Sequence, residues 1–87
     1  MVERTLNINN KFGLHARPAS NLVSLTSKFK SNVYISKGEK KVNAKSLLAV
    51  LSLGVSYGDE IKITISGEDE IDAMDKLTEL INNGLGE

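Results

Sequence analysis

The pattern of apolar residues along the 87-residue chain predicts an α+β domain: a four-stranded antiparallel sheet covered on one face by three helices, in the order β-α-β-β-α-β-α. Two observations carry this. Each predicted strand has one apolar face and each predicted helix one apolar stripe, so helices on one side of a sheet satisfy both and leave the other sheet face wet. The segments are also joined by short polar or glycine-bearing loops with no repeat, linker or low-complexity stretch, so residues 1–87 read as a single domain with a small core.

Val2 to Ile8 alternates, with Val2, Leu6 and Ile8 on one side and Glu3 and Thr5 on the other, as in a half-buried strand. Asn9 to Gly13 reads as a loop. A helix starts at His15 or just after it: Ala19, Leu22, Val23, Thr26 and Phe29 follow at helical spacing, and Pro18 suits a first turn, where amides lack intrahelical partners. Asn32–Lys37 and Lys40–Asn43 form a hairpin about Lys37-Gly38-Glu39. Ser46 is a good N-cap for a short helix that Gly54 ends. Ile61, Ile63 and Ile65 alternate with polar residues as the last strand. Ile71, Met74, Leu77 and Ile81, with Ala73 and Leu80 beside them, give the stripe of a helix from about Asp69 to Asn83. Its first turns are acidic and Gly84 stops it.

Composition narrows the function. Without cysteine there is no disulfide framework, thiolate metal site or cysteine nucleophile. The first residues lack a basic stretch followed by an apolar one, and no apolar run approaches the roughly 20 residues that span a bilayer, so a cytoplasmic location and no membrane contact are expected. The net charge of zero hides an asymmetry: Met1 to Lys45 holds nine basic residues against two acidic ones, and Ser46 to Glu87 the reverse. A basic half suits an acidic partner, a membrane or nucleic acid, and equally a mixed, solvated surface. The four aromatics, Phe12, Phe29, Tyr34 and Tyr57, form no cluster suited to base stacking, which argues against RNA.

His15 is the only histidine. Neutral imidazole is a nucleophile able to form a covalent intermediate. At a helix start it meets free backbone N–H groups and the positive end of the dipole, which welcome an anion and keep the ring neutral. Arg17 offers a guanidinium that matches phosphate oxygens, and Gly13 is expected to let a partner's backbone approach closely. A lone surface histidine is otherwise a bystander. Metal ligation lacks further ligands nearby in sequence, a hydrolytic triad is equally unsupplied, and no phosphate-binding loop for a nucleotide is present. No cofactor is expected.

Gly13-Leu14-His15-Ala16-Arg17-Pro18-Ala19-Ser20 resembles the active-site signature of the HPr family, the histidine-containing phosphocarriers of the bacterial phosphoenolpyruvate-dependent sugar phosphotransferase system. Asn43 to Gly54 is similar to that family's regulatory serine motif. The resemblance spans the chain, including a closing Gly84-Leu85-Gly86-Glu87 like that of many Gram-positive members. It implies a carrier and not an enzyme: His15 accepts phosphate on Nδ1 from phosphorylated Enzyme I and donates it to enzyme IIA domains of sugar transporters, with Arg17 contacting the phosphate. It also implies phosphorylation of Ser46 by an HPr kinase/phosphorylase, binding to a catabolite-control transcription factor, and a monomer. As an N-cap, Ser46 needs no such role. Lys11, Leu14, Lys45, Leu47, Leu48 and Leu51 are the expected docking face, while Val50 and Leu53 are expected in the core. Phe12 departs from the small polar residue frequent at that position in the family; it is a partner contact or a loop residue packed on the domain.

Overall fold

The computed structural model describes residues 1–87. Its elements are β1 (Val2–Asn7), α1 (Ala16–Thr26), β2 (Asn32–Lys37), β3 (Lys40–Asn43), α2 (Leu47–Ser52), β4 (Glu60–Ser66) and α3 (Glu70–Asn82). The strands form one antiparallel sheet in the order β1-β4-β2-β3.

Register places the apolar residues of neighbouring strands side by side: Ile65 pairs with Val2 and Val33, and Ile63 with Ile35. With Ile61 they form the sheet's contribution to the core, and all but Val2 are buried. Against this layer α1 sets Ala19 and Leu22, α2 sets Val50, and α3 sets Ala73, Met74, Leu77 and Ile81. Val50 and Leu53 lie in the core as expected. Arg4 shares the helix-side parity of Val2 and Leu6 at the sheet edge, and its Nη1 donates to Thr78 Oγ1 on α3 at 2.9 Å. The opposite face carries polar residues, with rows such as Glu3, Thr64, Tyr34 and Asn43 in register.

Two residues depart from the periodicity. α1 ends at Thr26, where N–H groups of Lys28 and Phe29 turn to the carbonyls of Leu25 and Thr26. Phe29 is therefore buried from the turn after the helix rather than from its stripe. Ile71 is 62% exposed, because at 3.6 residues per turn it lies about 200° around the helix from Ala73, while Ala73, Leu77 and Ile81 define the buried line.

The β2 and α3 starts are tied together by Asp69, the residue before α3. Its carboxylate accepts from the N–H of Lys30 at 2.9 Å and of Ser31 at 3.0 Å, and from the Ser31 hydroxyl. The hydroxyl and the Lys30 amide hold its pKa down to about 2 from an ordinary 3.8. A carboxylate with a depressed folded pKa stabilises the fold fully above its unfolded pKa, and that contribution is lost as pH falls toward the folded value. Asp69→Ala should lower the melting temperature above pH 4, with the gap from wild type closing as pH falls from 3.8 to about 2; thermal melts across that window measure it.

Candidate functional site

The loop before α1 is held from inside. Asn10 is buried, its Nδ2 donates to the Gly13 carbonyl at 2.6 Å, and its carbonyl accepts from the Gly13 N–H at 3.1 Å. Gly13 has φ +65°, and a Cβ there would run into the Val55 carbonyl and lie 2.7 Å from Ser56 Cα. The close approach at Gly13 is thus to the chain's own backbone: the residue is buried, which corrects the expectation that it opens a path for a partner. Leu14 follows with its N–H on the Val55 carbonyl at 3.0 Å and its side chain 4% exposed.

This seat delivers His15 in extended conformation, φ −80° and ψ −173°, as the N-cap of α1. Its carbonyl accepts from Ala19 N–H at 2.9 Å, while its side chain makes no capping bond and is 42% exposed. The first-turn amides of Ala16 and Arg17 have no intrahelical partner by the geometry of a helix start. Arg17 is exposed, with no intramolecular hydrogen bond or ion pair, so its guanidinium is free. Phe12, also exposed, meets the imidazole edge to face, 5.8 Å between centroids at 84°. The Lys11 ammonium sits 5.4 Å from the Phe12 ring centroid. Phe12 therefore packs on the histidine itself. The ring's Nε2 lies 3.3 Å from Oε1 of Glu87.

The second motif forms α2 as read: Ser46 is the N-cap and its hydroxyl accepts from Ala49 N–H at 3.3 Å. Gly54 follows the helix with φ +68°. The residues grouped as a docking face separate. Leu47 and Leu48 are 41% and 80% exposed, and Leu51 is half-buried against the core. Leu14 belongs to the core, pulled in by its backbone bond to Val55, and is withdrawn from that face. Lys45 is half-buried with Nζ on the Phe29 carbonyl at 2.7 Å. It serves the end of the α1 turn and is not a free cation.

Two participants escaped the sequence. Asn10 looked like one polar residue of a loop, and Glu87 lies 72 positions from His15. The only available signal for Glu87 was Leu85, an apolar residue between two glycines just beyond α3.

The family model of the PTS HPr component phosphorylation site matches residues 2–83. The chain belongs to the HPr phosphocarrier family. It is 46% identical to phosphocarrier protein HPr of Xylella fastidiosa over 87 residues, covering the whole chain and 98% of that relative. The crystal structure of an HPr from Thermoanaerobacter tengcongensis superposes with a TM-score of 0.96 at 48% identity, covering all of this chain and 98% of that one. Crh of Bacillus subtilis, a catabolite-repression protein crystallised as a dimer with a swapping domain, gives a TM-score of 0.77 at 40% identity over 97% of each chain. HPr architecture thus frames the site, an imidazole on a tightly seated loop at a helix start.

The seat's cost of alteration is measurable. Gly13→Ala imposes a left-handed backbone on a residue with a Cβ and drives that atom into Val55 and Ser56. Chemical denaturation should show a loss of about 2–4 kcal/mol. Ser46→Ala, which removes only one cap bond, should lose about 1 kcal/mol.

Proposed function

We propose that the chain is a cytoplasmic phosphocarrier in which His15 accepts a phosphoryl group from phosphorylated Enzyme I and passes it to enzyme IIA domains. The observation that carries this is the exposed imidazole held at the start of α1 beside a free Arg17, within a family defined by a phosphorylation site. The Nδ1 lone pair is the nucleophile. The amides of Ala16 and Arg17 and the Arg17 guanidinium stabilise charge on the transferring oxygens. A carrier must release its cargo, and an exposed ring holds phosphate without enclosing it. The monomer is the proposed working unit. Leu47 and Leu48, both exposed on α2, supply the apolar part of the docking face, with Lys11 and Arg17 as its cations.

Ser46 is the proposed regulatory site, modified by an HPr kinase/phosphorylase and then recognised by a catabolite-control transcription factor. Its likeness to Crh, a catabolite-repression protein, supports this reading. A phosphate at this N-cap adds about −1.5 to −2 charges where the helix dipole favours them, so the effect falls on docking beside Leu47 and Leu48 rather than on the fold.

Incubation with phosphoenolpyruvate and a bacterial Enzyme I should place an acid-labile phosphate on the wild-type chain, and His15→Ala should abolish it with an unchanged circular dichroism spectrum. Undiminished labelling of that variant refutes the reading. Arg17→Glu should slow transfer to and from the carrier through phosphate repulsion. Ser46→Asp should keep or slightly raise the melting temperature yet weaken Enzyme I binding, most at low salt; calorimetry at two salt concentrations reads both.

A further inference from the structure

The loop that leads to His15 stands on one stretch of chain at both of its ends. It leaves β1 at Ile8, whose N–H donates to the Asp59 carbonyl at 2.9 Å and whose carbonyl accepts from the Gly58 N–H at 2.8 Å. It reaches α1 through Leu14, whose N–H donates to the Val55 carbonyl at 3.0 Å, directly after Gly13 has packed on Val55 and Ser56. Residues 54–59, which join α2 to β4, thus form a ledge under the site. They belong to no helix or strand, so no helical or sheet ladder sets their path.

Two side chains set it instead. Asp59 folds its carboxylate back so that Oδ2 accepts from the Ser56 N–H at 2.8 Å, while its own N–H donates to the Ser56 carbonyl at 3.0 Å. Lys37, the last residue of β2, places Nζ 2.9 Å from the same Oδ2 and 2.9 Å from the Gly54 carbonyl. One ammonium therefore joins Gly54 to Asp59, the two ends of the ledge, with the Val55 carbonyl that receives Leu14 between them. The Lys37 ammonium and the Ser56 amide hold the Asp59 carboxyl below its ordinary 3.8, and the pair is half-buried, where a charge-assisted bond counts for more than an open surface contact. Lys40, opposite Lys37 in the hairpin, makes only one such bond: its Nζ donates to the Ser52 carbonyl at 2.8 Å, inside α2 and before the ledge begins.

We propose that Lys37 and Asp59 are positioning residues for His15: acting through Val55 and Ser56, they fix the ledge on which Gly13 and Leu14 are seated and so set where the imidazole is presented to a phosphoryl donor. This rests on the reading of His15 as the acceptor. Neither side chain touches the ring, whose neighbours are Phe12 and Glu87, so their effect passes through the backbone alone. Without the ammonium, the Gly54 carbonyl and the Asp59 carboxylate lose their common partner and the ledge is held only by the Ser56 amide. The Val55 carbonyl then wanders, and Leu14 and the residue after it move with it. An exposed imidazole has no pocket to correct such a displacement, which makes the transfer rate sensitive to it.

Amide hydrogen exchange on the full chain, read residue by residue by nuclear magnetic resonance, tests the seat, and the rate of labelling by phosphoenolpyruvate and Enzyme I tests its consequence. In Lys37→Met the Leu14 amide should exchange about 3- to 10-fold faster, the size of one half-buried charged contact, while the amides of β4 keep the protection they have in Lys40→Met, which removes the same charge and a bond of the same kind. The maximal labelling rate of Lys37→Met should fall about 3- to 30-fold, short of the roughly 100-fold that a 1 Å misplacement costs, with the half-saturating concentration of Enzyme I matching that of Lys40→Met. Asp59→Ala should behave as Lys37→Met does, and Lys37→Arg, which keeps a cation with two donors, should recover part of both losses. Unchanged Leu14 exchange in Lys37→Met overturns the proposal, as does a maximal rate no lower than that of Lys40→Met. Faster Leu14 exchange in a protein whose wild type takes no phosphate upholds the ledge and refutes instead the acceptor role of His15.

Discussion

Burial of the isoleucine layer on β4 is the constraint on which the rest of the structure depends. Ile61, Ile63 and Ile65 all point to one face, on a central strand flanked by β1 and β2. Apolar surface of this kind leaves water at about 25 cal/mol per Å², and in a domain this small no other face competes. α1 and α3 are therefore drawn onto the same side, and the loops that enter and leave them are fixed at its margin. His15 sits where one of those loops becomes α1.

The site gains its geometry from backbone constraints rather than from a pocket. Gly13 packs against Val55 and Ser56, Leu14 is driven inward, and the next side chain, His15, is left facing solvent. The same economy of parts recurs at Lys45, whose ammonium is committed to the Phe29 carbonyl. Basic residues in the first half of the chain are accordingly not equivalent: Lys37 pairs with Asp59 at 2.9 Å and Lys40 holds the Ser52 carbonyl at 2.8 Å, whereas Arg17 has no partner. A charge asymmetry visible in composition reduces to a few free cations once the fold has used the others.

A transferable group needs a nucleophile that is accessible yet restrained. Phe12 meets the ring in a T-shaped contact and Glu87 meets its Nε2, so His15 is confined without being covered. In the proposed carrier role, these two restraints lower the entropy lost when a partner docks.

The sequence by itself determined the element order, the single wet sheet face and the starts of all three helices, because alternation, helical spacing and capping chemistry are local and are read from neighbours. It also singled out His15, Arg17 and Ser46 as candidates, because the chemistry expected of them depends on residue type and position at a helix end. Only the tertiary structure decided the strand order, the burial of Leu14, the exposure of Ile71 and the commitment of Lys45, since each turns on what a distant segment places alongside. Glu87 shows why: Leu85 must first sink into a core made by α1, α3 and the sheet before the residue two places on can reach a histidine 72 positions away, and no local pattern encodes that meeting.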